Sequence, residues 1–192
     1  KISIASIPVI VARMGYTGED GFELFCQKEH TANLWEELLT VGKPLGAIPA
    51  GLGARDILRL EVCYLLYGND IIEEYNALEA GLGWIIKFPK GDFIGKEALL
   101  KYKEQGIKNK LVRFTLSKKG IPRNKYSIYD SLGGNKIGTV TSGNNSPTLG
   151  KGIGLGYVNI EKSIPGTEIM IKIREEMVPA RILKGSFVNI DK

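Results

Sequence analysis

From about residue 109 onward the chain breaks into short segments of alternating polarity, each closed by residues that favour turns. The segments are 111–116, 126–130, 136–142, 154–160, 168–173 and 178–183, punctuated by Asn-Lys, Gly-Gly, Asn-Asn-Ser-Pro and Pro-Gly. Alternation with a period of two puts successive side chains on opposite faces, so each segment reads as a strand with one face buried. Five or six strands at this spacing predict a small antiparallel barrel or sandwich. At roughly 80 residues such a unit is small for a stable core.

The first part of the chain follows a different pattern. Residues 7–13 (IPVIVAR) read as a strand rich in β-branched side chains, ended by Gly15. The glycine-rich stretch 15–21 then turns the chain into a short strand over 22–26. Leu34, Trp35, Leu38 and Leu39 recur at helical spacing and predict a helix over 31–39, stopped by Gly42 and Pro44. A second helix is expected over 52–63, with Ala54, Leu58, Val62 and Leu65 as its apolar stripe and Arg55 and Arg59 on a neighbouring face. Gly68-Asn69-Asp70 breaks the chain, 84–88 reads as a strand, and 96–105 as a third helix with Leu99 and Tyr102 on one face.

The two patterns meet near Ile107. The expected fold class is therefore α+β: an incomplete α/β lobe over 1–107, followed by a small antiparallel β-barrel over 108–192. The irregular order of the first lobe is that of a unit missing earlier elements. The start agrees, because Lys1 runs almost directly into a strand and the first methionine is Met14. The chain reads as a piece of something longer.

Composition excludes several classes. No apolar run approaches the ~20 residues that a bilayer span needs, and no secretory signal pattern opens the chain. The net charge of +5 could suggest nucleic acid, but the basic residues are dispersed. Their densest group (Lys101, Lys103, Lys108, Lys110, Lys118 and Lys119) is interleaved with turns. A solvated surface is the simpler reading, and it would also attract an acidic protein partner or a polyglutamate tail. Cys26 and Cys63 stand far apart and His30 is the only histidine, so these residues supply no metal site. Both thiols are expected to be buried and reduced.

Three stretches could carry chemistry. In residues 13–23 (RMGYTGEDGFE) three glycines allow positive φ and a close backbone approach to a ligand. There is no phosphate-binding G-x-x-x-x-G-K-[ST] pattern. Glu23 lies just past this loop, on the strand face opposite Phe22 and Leu24, where it is either simply exposed or lines a cleft. In residues 51–61 (GLGARDILRLE), Arg55 falls near a helix N-terminus, where the macrodipole disfavours a cation. That placement is easier to understand if Arg55 pairs with a carboxylate, whereas Arg59 and Glu61 read as surface or intradomain pairs. Residues 150–156 (GKGIGLG) contain G-x-G-x-G but open no helix, so they read as a turn and strand entry rather than a dinucleotide fingerprint.

Taken together, these and several intervening segments resemble the aminomethyltransferase family, the T-protein of the glycine cleavage system. Residues 13–24 (RMGYTGEDGFEL) are similar to its folate-site loop. Residues 51–61, 66–70 (LYGND), 78–83 (LEAGLG), 91–99 (GDFIGKEAL), 121–123 (IPR) and 141–158 (TSGNNSPTLGKGIGLGYV) continue the match in order. The resemblance covers essentially the whole chain and, as a set, is specific. It implies a folate-binding lobe and a C-terminal barrel. The implied reaction transfers the methylene of an aminomethyl group, carried on the lipoyl arm of a small acidic carrier (the H-protein), to tetrahydrofolate, with release of ammonia.

By position, the resemblance makes Glu23 the holder of the pterin, Arg55 a second folate contact and Tyr16 part of the same channel. It puts the family's catalytic aspartate upstream of Lys1, so no catalytic residue is expected here and the fragment alone should be inactive. A cytoplasmic location follows if the source is bacterial, a mitochondrial one if eukaryotic, with neither membrane nor nucleic acid as partner. Two rival readings belong to similar proteins. One is the folate-binding half of a flavin-dependent dimethylglycine or sarcosine oxidising enzyme. The other is a non-catalytic folate-binding protein of iron–sulfur assembly, whose cysteine-containing K-G-C-Y-x-G-Q-E stretch is replaced here by KGDFIGKE at 90–97.

Overall fold

A computed structural model describes residues 2–189 and divides them into two compact units, one ending at Arg59 and the other beginning at Leu60.

The first unit is built on a three-stranded antiparallel sheet of β1 (Ile2–Ile4), β2 (Ile7–Ala12) and β3 (Glu23–Phe25), in that order. β1 went unnoticed in the sequence for a physical reason. Its two-residue turn places Ala5 and Ser6 at φ 48° and 63°, a conformation normally signalled by Asn or Gly. Ile7 and Val9 point inward from β2 and are covered by Leu34 of the helix α1 (Thr31–Gly42), with Ile4, Val11, Leu24 and Cys26 packed around them. α1 runs three residues further than expected, and Pro44 is accommodated in a 3₁₀ turn at Lys43–Leu45. Gly42 makes this possible, since a Cβ there would lie 2.7 Å from that of Ala47. Of the predicted α1 stripe only Leu34 is buried; Trp35 and Leu38 are about half exposed.

The helix α2 (Leu52–Glu61) does not bury its predicted stripe either. Ala54 and Leu58 are exposed, whereas Arg59, Leu60 and Glu61 are buried. Arg59 and Glu61 are thus not surface residues. Cys63, at φ 60°, turns the chain two residues past the helix end.

In the second unit a long irregular segment leads into α3 (Lys96–Gln105), which forms where the sequence predicts it. The expected strand at 84–88 does not form. Gly83–Ile85 is a single 3₁₀ turn with Trp84 largely exposed, and Lys87 Nζ donates to the Trp84 carbonyl. Apolar side chains alone made that segment look like a strand, but it has no neighbouring edge to pair with.

The remaining strands are β4 (Asn109–Leu116), β5 (Ser127–Tyr129), β6 (Lys136–Ser146), β7 (Lys151–Asn159), β8 (Glu168–Ile173) and β9 (Glu176–Leu183). They close an antiparallel barrel in the order β4-β7-β6-β5-β8-β9, with β9 returning to β4 from Arg113↔Leu183 to Leu116↔Ala180. Closure removes every sheet edge. The interior is filled by Phe114, Ile128, Val140, Val158, Ile171 and Ile182, all at most 1% exposed.

Residues 150–156 are not merely a turn and strand entry, since most of them form β7 itself. Its alternate glycines let neighbours approach: a Cβ at Gly154 would lie 2.5 Å from Phe114 Cζ, and one at Gly156 would lie 2.7 Å from the Thr139 carbonyl oxygen. Gly154→Ala is therefore expected to lower stability by about 1–3 kcal/mol through overpacking. Urea denaturation checks this, and an unchanged midpoint would show that Phe114 can yield.

Candidate functional site

The glycine-rich loop of the first unit is held by its own ends. Arg13 grips Asp20 with two parallel bonds, Nε to Oδ1 and Nη2 to Oδ2, each 2.9 Å. This fork raises the Arg13 pKa and lowers that of Asp20, the hydrogen bond between them being the main cause of both shifts. The pair is well exposed, so its value lies in shaping the loop rather than in stability. Of the loop's three glycines only Gly18, at φ 86°, uses the left-handed freedom. The loop leads straight into β3, where Glu23 lies opposite Ala12 and is half-buried. Phe22 precedes the strand and is 62% exposed, so the expected face shared by Phe22 and Leu24 does not form; Leu24 alone joins the core.

Arg55 lies in the first turns of α2, whose start is closed by the Arg55 and Ala54 amides donating to the Gly51 carbonyl. It does not pair with a carboxylate among the described residues. Its guanidinium carbon instead lies 4.5 Å from the centroid of the Tyr16 ring, a cation–π contact. The neighbouring carboxylate, Asp56, is taken by Arg59, with Nη2 at 2.7 Å and Nε at 2.9 Å from Oδ1. Thus Tyr16 and Arg55 are brought into contact, and Glu23 sits on the strand that the Tyr16 loop enters.

The second unit holds features that sequence reasoning passed over: three buried carboxylates occupied by neutral donors. Asp70, fully buried, accepts from the Thr141 hydroxyl on Oδ1, and from the Ser142 hydroxyl and the Leu66 amide on Oδ2, each of the latter at 2.9 Å. The Tyr157 hydroxyl donates to its main-chain carbonyl at 2.8 Å. Tyr157 itself is buried and stacked on Tyr75, with ring centroids 3.5 Å apart. Burial, and then the Asp70 charge, raise its pKa, so it stays a neutral donor. Glu61 accepts from the Ser146 and Thr148 hydroxyls. Glu79 accepts from Asn76 on one oxygen and from the Asn109 amide, at 3.1 Å, on the other. A signal was present, since LYGND and LEAGLG each contain one of these residues, but a buried acid looks no different from an exposed one in sequence.

Cys26 and Cys63 are half-buried rather than buried, and neither is in a disulfide. Among the described residues no group of three or more His, Cys, Asp or Glu side chains is placed to hold a metal ion. No helix of those residues is long and apolar enough to cross a membrane.

A glycine-rich clamp beside an arginine–aromatic pair, in a chain that ends in a closed six-stranded barrel, defines a two-part class. Residues 1–90 match the family model described as the GCVT N-terminal domain, and 109–189 match the glycine cleavage T-protein C-terminal barrel domain. The chain is 53% identical to an aminomethyltransferase of Halothermothrix orenii, over 94% of its own length and 50% of the relative's. It is 49% identical to one of Caldanaerobacter subterraneus, over 97% and 50%. It also superimposes on the crystal structure of the glycine cleavage system aminomethyltransferase T of Bartonella henselae, with a TM-score of 0.87 at 32% identity, covering 94% of this chain and 50% of that one. The chain belongs to the aminomethyltransferase family of glycine cleavage T-proteins and spans about half the length of the curated relatives it matches.

Proposed function

We propose that these residues supply folate contacts of a tetrahydrofolate-dependent aminomethyltransferase. In this reading the methylene of an aminomethyl group on the lipoyl arm of the H-protein passes to tetrahydrofolate and ammonia is released. The observation that carries it is the seating of the Arg55 guanidinium on the Tyr16 ring, which joins two family-marked residues from separate segments into one flat cationic surface. Such a surface suits a planar ligand that also bears carboxylates. Glu23, on the adjoining strand, offers a carboxylate able to accept the ring N–H and the neighbouring amino group of a pterin in a fork.

The catalytic aspartate of the family has no counterpart here, and in this reading it comes from an upstream half of the kind the relatives carry. We keep the boundary near Ile107 as the division between the family's two domains, and a cytoplasmic location as the setting.

Two substitutions test this, in a chain extended by the upstream half from its own reading frame. Glu23→Gln should weaken folate binding by about 1–3 kcal/mol, because a donor then faces a donor. Unchanged affinity in a folate titration would reduce Glu23 to an ordinary strand residue. Arg55→Met should lower folate affinity while leaving the melting temperature of the ligand-free protein nearly unchanged. An exposed cation–π contact is worth only ~0.5–1 kcal/mol, and a cation near a helix start carries a penalty of its own, typically ~0.3–1 kcal/mol. A large loss of ligand-free stability with folate binding intact would remove Arg55 from the site.

A further inference from the structure

The loop that carries Tyr16 runs from residue 13 to residue 22, between the paired strand ends Ala12 and Glu23. It contains bends but no hydrogen-bonded turn. Its glycines at 15, 18 and 21 widen the range of shapes open to it. A loop built this way pays conformational entropy whenever a ligand needs it in one shape.

One tie spans it. Arg13 is its first residue and Asp20 stands seven residues on, near its end. The two parallel bonds between them, each 2.9 Å, fix the direction of the planar guanidinium as well as the distance. The Asp20 carboxylate also accepts from the Gly21 amide. The Arg13 guanidinium carbon lies 6.0 Å from the centroid of the Phe22 ring, so the start of the loop is joined to its last three residues. Inside the tie, the Glu19 amide donates to the Thr17 hydroxyl oxygen at 3.4 Å, and Gly18 takes its left-handed φ. Tyr16 is enclosed by this ring of contacts. It is half-buried, and its ring meets the Arg55 guanidinium of α2.

We propose that Arg13 and Asp20 are a positioning pair of the folate site, whose fork holds the Tyr16 ring where Arg55 and a planar ligand can share it. The inference rests on the folate reading. The pair acts through Tyr16, by raising the fraction of molecules in which the ring is already seated. Apparent affinity scales with that fraction. An exposed ion pair shifts such an equilibrium by up to roughly fivefold, and this sets the expected size of the effect. The sign is diagnostic. A direct field on an anionic folate would make loss of Arg13 weaken binding and loss of Asp20 strengthen it. Positioning makes both losses weaken it.

The test is a double-mutant cycle of R13Q, D20N and R13Q/D20N, titrated with tetrahydrofolate in the chain extended by its upstream half. Each single variant should lose about threefold to fivefold in affinity, and the double variant should lose no more than either single one. A second readout needs no ligand. Fluorotyrosine is incorporated into the 192-residue chain, and the Tyr16 fluorine resonance is assigned among the eight tyrosines by Tyr16→Phe. Arg55→Met should move that resonance, and all three variants should move it in the same direction while melting with the parent chain. An unmoved Tyr16 resonance would overturn the proposal, as would opposite signs of the two single variants in the titration. Full folate affinity in the three variants with a loss in Arg55→Met overturns the proposal alone. Full affinity in Arg55→Met as well overturns it together with the folate reading.

Discussion

Asp70→Ala is expected to destabilise the chain by about 3–5 kcal/mol, a large share of the 5–15 kcal/mol that holds a typical domain together. The side chain is fully buried and gathers the Thr141 and Ser142 hydroxyls and the Leu66 amide. Truncation removes the acceptor of all three donors, and each buried orphan costs about 1–3 kcal/mol. Two of the donors are hydroxyls, which can rotate to a new acceptor, so the sum is discounted. Asp70→Asn should be milder, at about 1–2 kcal/mol. It keeps the shape and one acceptor oxygen, and a hydroxyl can turn to accept from the new amide. The midpoints of urea unfolding for the three proteins decide it. A loss below 1 kcal/mol for Asp70→Ala would mean that water replaces the carboxylate and that the link between the 66–70 turn and β6 is dispensable.

The barrel was legible in the sequence because alternation and turn residues are local signals, and closure follows once six short strands each have a face to bury. α3 was legible for the same reason. The losses occurred where tertiary context overrode local pattern. The α2 stripe of Ala54 and Leu58 looked like the core face, yet the helix buries Arg59 and Glu61, whose charged groups are satisfied by Asp56, Ser146 and Thr148. No periodicity of apolar residues can report a charged side chain that is buried against its own polar partners. The 84–88 segment failed in the opposite direction, since strand-like composition does not supply a partner. At the candidate site, the positions of Tyr16, Glu23 and Arg55 came from a motif rather than from physics. The motif said nothing of the Arg13–Asp20 clamp or of the Tyr16 ring beneath the guanidinium, because the first depends on how the loop folds back on itself and the second on how the loop meets α2.

The 192 residues alone are expected to form no methylene-tetrahydrofolate from aminomethylated carrier above the uncatalysed rate. A positioned acid or base contributes about 10²–10⁴ to such a step, and the buried carboxylates among the described residues are already committed. Glu61, Asp70 and Glu79 accept from internal hydroxyls and amides. Asp20 is held by Arg13 and Asp56 by Arg59, and in the proposed reading Glu23 is taken up by the folate. The first unit also exposes Leu45, Ile48 and Leu52 by more than four-fifths. Apolar exposure of that extent marks a surface that another body covers, and an upstream half of the relatives' kind is the occupant in the proposed reading. Supplying that half from the extended reading frame should therefore restore turnover, while the isolated chain stays silent at any enzyme concentration that leaves the background measurable. Turnover by the purified 192 residues would sink this expectation, and it would place the acid–base group on one of the exposed carboxylates of this chain.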